Sequence, residues 1–99
     1  MKTLSLAAVL AMLVGTTAFA ADKVTVQLDY VVRGNHAMFF VAKKKGYFEK
    51  QSIDVAAIQR GTGSPNAMRF VGNGNAEFGF GDLPTLAVAR SQSVPGVAL

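Results

Sequence analysis

Residues 24–42 read VTVQLDYVVRGNHAMFFVA and predict a strand, a polar loop and a helix in succession. Val24 to Leu28 alternate apolar and polar side chains and include β-branched residues, which is typical of a β-strand. Gly34-Asn35 predicts the start of a helix, with Asn35 as its N-cap. The apolar helix body ends at Lys43-Lys44-Lys45 and Gly46, because cations and glycine both favour a helix C-terminus.

The rest of the chain continues the alternation of strands and helices. The predicted elements are a strand at 53–58, a helix with Ser64 as N-cap and Pro65 at its first position, a strand at 76–80, a helix from Asp82 and an incipient strand at 97–99. Strands that alternate with helices form βαβ units with right-handed crossovers. The predicted fold class is therefore α/β with a parallel sheet.

The first twenty residues have the organisation of a secretory signal peptide. A positive start at Met1-Lys2 precedes an apolar run from Leu4 to Val14, and Ala18-Phe19-Ala20 supplies the small residues that a signal peptidase reads. The apolar run is shorter than the roughly 20 residues that span a bilayer, which disfavours a membrane anchor. We therefore expect residues 1–20 to be removed and the protein to work outside the cytoplasm.

Composition narrows the remaining possibilities. The 99 residues contain no cysteine and one histidine, so neither a disulfide framework nor a histidine-rich metal site is expected. The formal net charge of +4 is too small and too scattered to predict nucleic-acid binding. The apolar residues 97–99 directly follow a turn signal at Val94-Pro95-Gly96, and we interpret the chain as the N-terminal fragment of a longer protein.

Three loops are candidates for ligand binding, because an open parallel sheet binds ligands beyond the carboxyl ends of its strands. These loops are 30–36, 59–64 and 81–85, and each leads into a helix N-terminus with free N–H groups. Gly61 and Gly63 are expected to let a ligand approach the backbone closely.

The side chains of these loops suit a small solute that is anionic or rich in hydrogen-bonding groups. Arg33 and His36 supply donors, Ser64 supplies a hydroxyl, and Tyr30 offers a stacking face. Two of the positions, His36 and Asp82, each have two possible roles. His36 is either a ligand contact or a buried histidine with satisfied nitrogens, and Asp82 is either a ligand contact or a helix N-cap.

The sequence shows no catalytic constellation, and no metal ligand set or cofactor is predicted. Residues 61–66, GTGSPN, lack the last glycine of a dinucleotide fingerprint and the lysine of a phosphate-binding loop. Asp29 and Asp82 would form a carboxylate pair only if the fold brought them together. We therefore expect a binding protein and not an enzyme.

Several stretches together resemble one protein family. VQLDY at 26–30, NHAMFFVA at 35–42, KGYF at 45–48, IDV at 53–55 and VGNGNAEFGFGD at 71–82 resemble the first lobe of periplasmic solute-binding proteins of ABC importers. The similar group is the nitrate, sulfonate and taurine type, which includes binding proteins for pyrimidine precursors of thiamine. Pyrimidine-binding members usually carry tryptophan where Tyr30 stands, so the resemblance leaves the solute open.

The resemblance implies a partial first lobe of a type II periplasmic-binding-protein fold over residues 21–99. It implies a small-molecule solute, a membrane permease as partner, and a monomer when full length. It also implies ligand contacts from residues of the three loops, to which Arg33 is added as a donor of the first loop. The predicted site residues are therefore Tyr30, Arg33, Asn35, His36, Gly63, Ser64, Asp82 and Thr85. The alternatives are an enzyme similar to the synthases of the thiamine pyrimidine, or the sensor lobe of a membrane protein.

Overall fold

The structure is a computed structural model and describes residues 20–99. Within that range, no helix is long and apolar enough to cross a membrane. The predicted signal peptide lies outside the described residues except for Ala20, so its cleavage stays a prediction.

The described chain is α/β, with three strands, three helices and two short 3-10 turns, which confirms the predicted fold class. The strands are β1 (Asp22–Gln27), β2 (Ile53–Gln59) and β3 (Phe78–Gly79). The helices are α1 (Ala37–Lys44), α2 (Ser64–Gly72) and α3 (Leu83–Ser91). The 3-10 turns span Gly34–His36 and Glu49–Gln51.

The sheet is parallel throughout, with the order β2-β1-β3. Its first strand in sequence is therefore its central strand. The β1–β2 register shifts by one residue after the pair Val24 and Val55, where β2 carries an extra residue. The chain leaves β1 towards β2 and later crosses to the other side of β1 to form β3. This reversal creates the kind of switch point at which open α/β sheets bind ligands.

The core lies on the central strand. Val26, Leu28 and Val55 are its buried apolar side chains, and partly buried aromatic residues of α1 and the following turn pack against them. Phe39 of α1 contacts Phe80 edge to face, with the ring centroids 5.7 Å apart. The core therefore joins β1, β2, α1 and the end of β3 directly beneath the carboxyl ends of the strands.

Two predicted strands differ from the structure. The strand predicted at 76–80 covers only Phe78–Gly79, because the Glu77 carboxylate accepts the Thr25 N–H at 2.6 Å and takes the place of a backbone acceptor. The strand predicted at 97–99 does not form in the described chain, and Val97 and Leu99 are largely exposed. A strand needs a paired neighbour, and apolar composition alone does not supply one.

The first helix also begins differently from the prediction. Asn35 is not its N-cap, since Asn35 lies within the 3-10 turn and α1 starts at Ala37. Its predicted end is confirmed, with Lys43 and Lys44 in the last turn and Gly46 at a φ of +71°. Met38 and Val41 of this apolar helix are about half exposed in the described chain.

Candidate ligand-binding cleft

An open cleft of about 380 Å³ lies beyond the carboxyl end of β1. This volume is within the range that small-molecule sites occupy. The cleft is lined by residues of the loop after β1 and of the start of α2: Asp29, Tyr30, Arg33, Asn35, His36, Gly63 and Ser64. Six of the eight predicted site residues therefore lie together, while Asp82 and Thr85 do not line this cleft.

Main-chain hydrogen bonds hold the two sides of the cleft together. The Gly61 N–H donates to the Tyr30 carbonyl at 3.0 Å, and the Gly63 N–H donates to the Asp29 carbonyl. Gly61 therefore serves this contact and not the approach of a ligand, which corrects the sequence-based expectation. A Cβ on Gly61 would collide with the Leu28 carbonyl oxygen and lie 2.8 Å from the Asp29 carbonyl carbon.

A buried glutamine extends this connection below the cleft. Gln27 is only 2% exposed, and its amide Nε2 donates to the Arg60 carbonyl at 3.1 Å. One residue further on, the Leu28 N–H donates to the Gln59 carbonyl at 2.8 Å. Because these bonds lie in the interior, they fix the ends of β1 and β2 relative to each other.

His36 is buried beneath the cleft, with both ring nitrogens engaged. Its Nδ1 accepts the Arg33 backbone N–H at 3.0 Å, and its Nε2 lies 2.8 Å from Asp29 Oδ1. Since Nδ1 is an acceptor, the ring proton is on Nε2 and is donated to the carboxylate. The structure therefore favours the satisfied buried histidine over the ligand contact, because no ring nitrogen of His36 is left for a solute.

Arg33 and Tyr30 form one unit at the rim. The guanidinium carbon of Arg33 lies 4.7 Å from the centre of the Tyr30 ring, a cation–π geometry. Both residues are exposed, and Tyr30 is 45% exposed. A solute at the rim would therefore meet a positive charge and an aromatic ring that support each other.

The start of α2 brings Gly63 and Ser64 to the cleft. The N-cap is Gly63 and not Ser64 as predicted, so Pro65 lies at the second helical position and not at the first. Gly63 has a φ of +135°, a conformation that side-chain-bearing residues rarely adopt. Ser64 is consequently not used as a cap, and its hydroxyl accepts the Asp82 N–H across a distance of 3.4 Å.

Asp82 acts as the N-cap of α3, which confirms that interpretation of the residue. Its Oδ1 accepts the Thr85 N–H at 2.8 Å and its Oδ2 accepts the Thr85 hydroxyl at 2.9 Å. These two bonds, with a smaller contribution from the Ser64 hydroxyl, hold the pKa of Asp82 below its ordinary value. Asp82 lines a separate, mainly apolar cavity between α2, α3 and residues 94–99.

Asp29 is the cleft residue that the site prediction missed. The resemblance included it in the stretch at 26–30, but the side chain was considered only as a possible partner for Asp82. Nothing in the sequence indicates that His36, seven residues further along, returns to bind its carboxylate. Among residues 20–99, no three histidine, cysteine, aspartate or glutamate residues gather in a group that could hold a metal ion.

The fold and cleft define an α/β protein with an open cleft at the carboxyl ends of β1 and β2 in a parallel sheet. The sequence profile described as NMT1/THI5 like matches residues 33–99. The chain therefore belongs to the NMT1/THI5-like family. No solved structure gives a significant match.

Curated relatives extend the comparison to thiamine biosynthesis. A Haemophilus influenzae protein named as a thiamine biosynthesis protein is 35% identical over 51 residues, or 52% of this chain and 16% of its own length. Two Saccharomyces cerevisiae proteins, THI11 and THI5, are each 26% identical over 76 residues, or 77% of this chain and 22% of their own length. Both are named 4-amino-5-hydroxymethyl-2-methylpyrimidine phosphate synthases. The chain thus spans about a fifth or less of the relatives it matches.

These names correct one expectation. The prediction that the chain is not an enzyme is contradicted by the yeast relatives, which are named as synthases. The absence of a recognisable catalytic constellation in the sequence does not exclude an enzyme, because the family includes both binding proteins and synthases. Family membership supports a solute-binding or thiamine-pyrimidine-related role.

Proposed function

We propose that the cleft binds an aminopyrimidine of the kind named in the yeast relatives, as part of the periplasmic solute-binding component of an ABC importer. The observation that carries this proposal is the cleft itself, where six predicted site residues and Asp29 surround a space of about 380 Å³. A small heterocycle fits such a volume. The names of the relatives support the pyrimidine.

The chemistry of the cleft suits a flat ring with polar edges. Tyr30 offers an aromatic face, while Asn35, Ser64 and Asp29 offer hydrogen-bonding groups to the ring edge. The main-chain bonds from Gly61 and Gly63 hold these groups in place before any solute arrives. Preorganisation of this kind raises affinity, because less conformational freedom is lost on binding.

Calorimetry on the purified protein tests the solute. We expect 4-amino-5-hydroxymethyl-2-methylpyrimidine to bind more tightly than taurine or nitrate. Ser64→Ala should weaken binding by roughly tenfold, the effect of losing one hydrogen bond to a bound ligand. Lys44→Ala, in the exposed last turn of α1, is the control and should leave the affinity unchanged. Equal losses in both variants, or tighter binding of nitrate, would contradict the proposed site.

Export to the periplasm is tested separately from solute binding. The protein, expressed with residues 1–20, should be recovered from the periplasmic fraction with Ala21 as its first residue, as N-terminal sequencing would show. Recovery in the cytoplasm with Met1 retained would contradict a periplasmic role while leaving the solute site in place.

A second candidate is a pyrimidine phosphate synthase, favoured by the names of the yeast relatives. Complementation distinguishes it from the importer component. If this protein without residues 1–20 restores growth without thiamine in a yeast strain that lacks its own synthases, the synthase is the correct function. Binding of the pyrimidine without complementation supports the importer component.

A further inference from the structure

One carboxylate in the cleft is held in a fixed orientation. Asp29 Oδ1 lies 2.8 Å from His36 Nε2, and the Asp29 side chain is 26% exposed whereas that of His36 is 1% exposed. Among the described residues, the side-chain hydrogen bonds of Asp29 go to His36 alone. Asp29 Oδ1 is therefore held by His36, and Asp29 Oδ2 is left to accept a hydrogen bond from a solute in the cleft.

The histidine that holds this carboxylate is itself immobile. The Arg33 N–H occupies Nδ1, so the Nε2 proton points to Asp29. The His36 ring also contacts Phe80 edge to face, with the centroids 5.3 Å apart. A buried ring that is bonded at both nitrogens and packed against an aromatic side chain keeps its partner in one position.

A carboxylate that cannot turn away imposes a chemical requirement on the solute. It accepts hydrogen bonds from amino, amidine or ammonium groups, and it repels the lone pairs of a carbonyl or an acid group. Arg33 at the rim, stacked on Tyr30, has the opposite preference. The cleft thus has a negative group at its wall and a positive group at its rim.

We propose that Asp29 is the specificity-determining residue of the cleft and selects solutes that present N–H donors, with His36 as its positioning residue. This inference rests on the proposed function and names the residue that recognises the amino edge of the solute. A site built around a hydrogen-bonding group discriminates strongly against analogues that leave the group unpaired.

Calorimetry with two pairs of solutes measures this selection as the ratio of the two affinities within each pair. The first pair is 4-amino-5-hydroxymethyl-2-methylpyrimidine and its analogue with a carbonyl oxygen in place of the 4-amino group. The second pair is taurine and isethionate, in which a hydroxyl replaces the ammonium group. We expect the protein to prefer the member that carries the amino or ammonium group in the pair that it binds. Asp29→Asn should reduce that preference at least tenfold.

A matched control separates the charge of Asp29 from charge in general. Asp54→Asn makes the same chemical change on the exposed side of β2, and the preference should stay unchanged. Unfolding midpoints from circular dichroism show whether each variant is folded. If Asp29→Asn does not fold, Asp29→Glu replaces it, because the longer side chain moves the carboxylate and should reduce the same preference.

His36 is tested by rescue. His36→Ala should reduce the preference as Asp29→Asn does, because the carboxylate is no longer held. In His36→Gln an amide N–H₂ can take the place of the Nε2 proton, and we expect it to restore part of the preference. A purely structural role would lower the affinity for both members of a pair equally, and Gln would then restore no preference.

The outcomes separate the two proposals. A preference for the aminopyrimidine that falls in Asp29→Asn and not in Asp54→Asn supports both of them. The same result with the taurine pair alone supports the role of Asp29 and contradicts the pyrimidine. A solute that binds with the same preference in Asp29→Asn overturns the role of Asp29 and leaves the proposed binding function standing. Failure of the unaltered protein to bind any of the four solutes contradicts the proposed function, and the role of Asp29 with it.

Discussion

At the scale of single residues, the cleft depends on the close approach of two main chains at Gly61. This residue lies against the Leu28 and Asp29 carbonyl groups, where even a methyl group has no space. The contact brings the loop after β2 onto the loop after β1, and both loops line the cleft. Gly61 therefore shapes the site although it does not itself line the cleft.

Gly61→Ala is consequently expected to destabilise the protein. Relieving the collision requires the two loops to move apart, and overpacking of this kind costs about 1–3 kcal/mol in the free energy of unfolding. Urea unfolding followed by circular dichroism measures the loss. Gly34→Ala is the matched control, because a Cβ at Gly34 meets nothing within 4 Å, and we expect a change within about 0.5 kcal/mol. An equal effect of the two substitutions would show that the close approach is unimportant.

Sequence reasoning reached some of these residues and missed others for a physical reason. The grouping of Tyr30, Arg33 and Ser64 followed from the rule that loops at the carboxyl ends of parallel strands meet. The bond between His36 and Asp29 could not be predicted, because it depends on how the 3-10 turn at Gly34–His36 folds back under the loop. Turn geometry of this kind is set by contacts distant in the sequence.

At the scale of elements, helix α3 shows how one side chain fixes a start. Asp82 accepts two hydrogen bonds from Thr85, and the lowered pKa of Asp82 means that its ionised form stabilises the folded state. The stabilisation is fully present at neutral pH. It is lost as the pH falls below about 4 and through the lowered pKa of the folded state.

Thermal unfolding of the unaltered protein and of Asp82→Ala at pH 7 and pH 3 tests this dependence. We expect the variant to unfold at a lower temperature at pH 7. The difference should narrow at pH 3, because the stabilisation by the ionised carboxylate declines below its ordinary pKa. Asp54→Ala, on the exposed side of β2, controls for the removal of a carboxylate. A difference of the same size at both pH values would show that the ionised cap contributes nothing.

The elements also show where local sequence signals suffice. The C-terminal end of α1 was predicted correctly, and the N-cap was one of the two roles proposed for Asp82, because glycine, lysine and aspartate act on the nearest turn. The extent of β3 was predicted wrongly, since it depends on a hydrogen bond from the Thr25 N–H to the Glu77 carboxylate. These two residues are 52 positions apart in the sequence. The start of α2 was predicted wrongly by one residue, because Gly63, whose N–H donates to the Asp29 carbonyl, takes the N-cap position with a φ of +135°.

At the scale of the whole molecule, the described chain has a small core. Only six apolar side chains are buried, three of them alanines, while residues as large as Leu83 and Val88 are more than half exposed. Among the described residues there is no disulfide to compensate. Buried apolar area is the main source of stability, so the core contributes little.

We therefore expect the 99-residue chain by itself to be only marginally stable. Its free energy of unfolding should lie below the roughly 5–15 kcal/mol of ordinary domains, and its urea transition should be broad. Circular dichroism at increasing urea concentrations measures both quantities. A steep transition with a free energy of about 10 kcal/mol would contradict this expectation and show that the exposed apolar residues cost little.

The order β2-β1-β3 has a consequence for how the protein is made. The central strand is the first to leave the ribosome, and its partner on one side follows only at Ile53 and on the other only at Phe78. Before Ile53 is made, both edges of β1 have unpaired N–H and carbonyl groups, and the edge that pairs with β3 keeps them until Phe78. In nascent chains that end before Phe78, the sheet should accordingly lack β3. We expect a chaperone that binds extended segments to bind these incomplete chains.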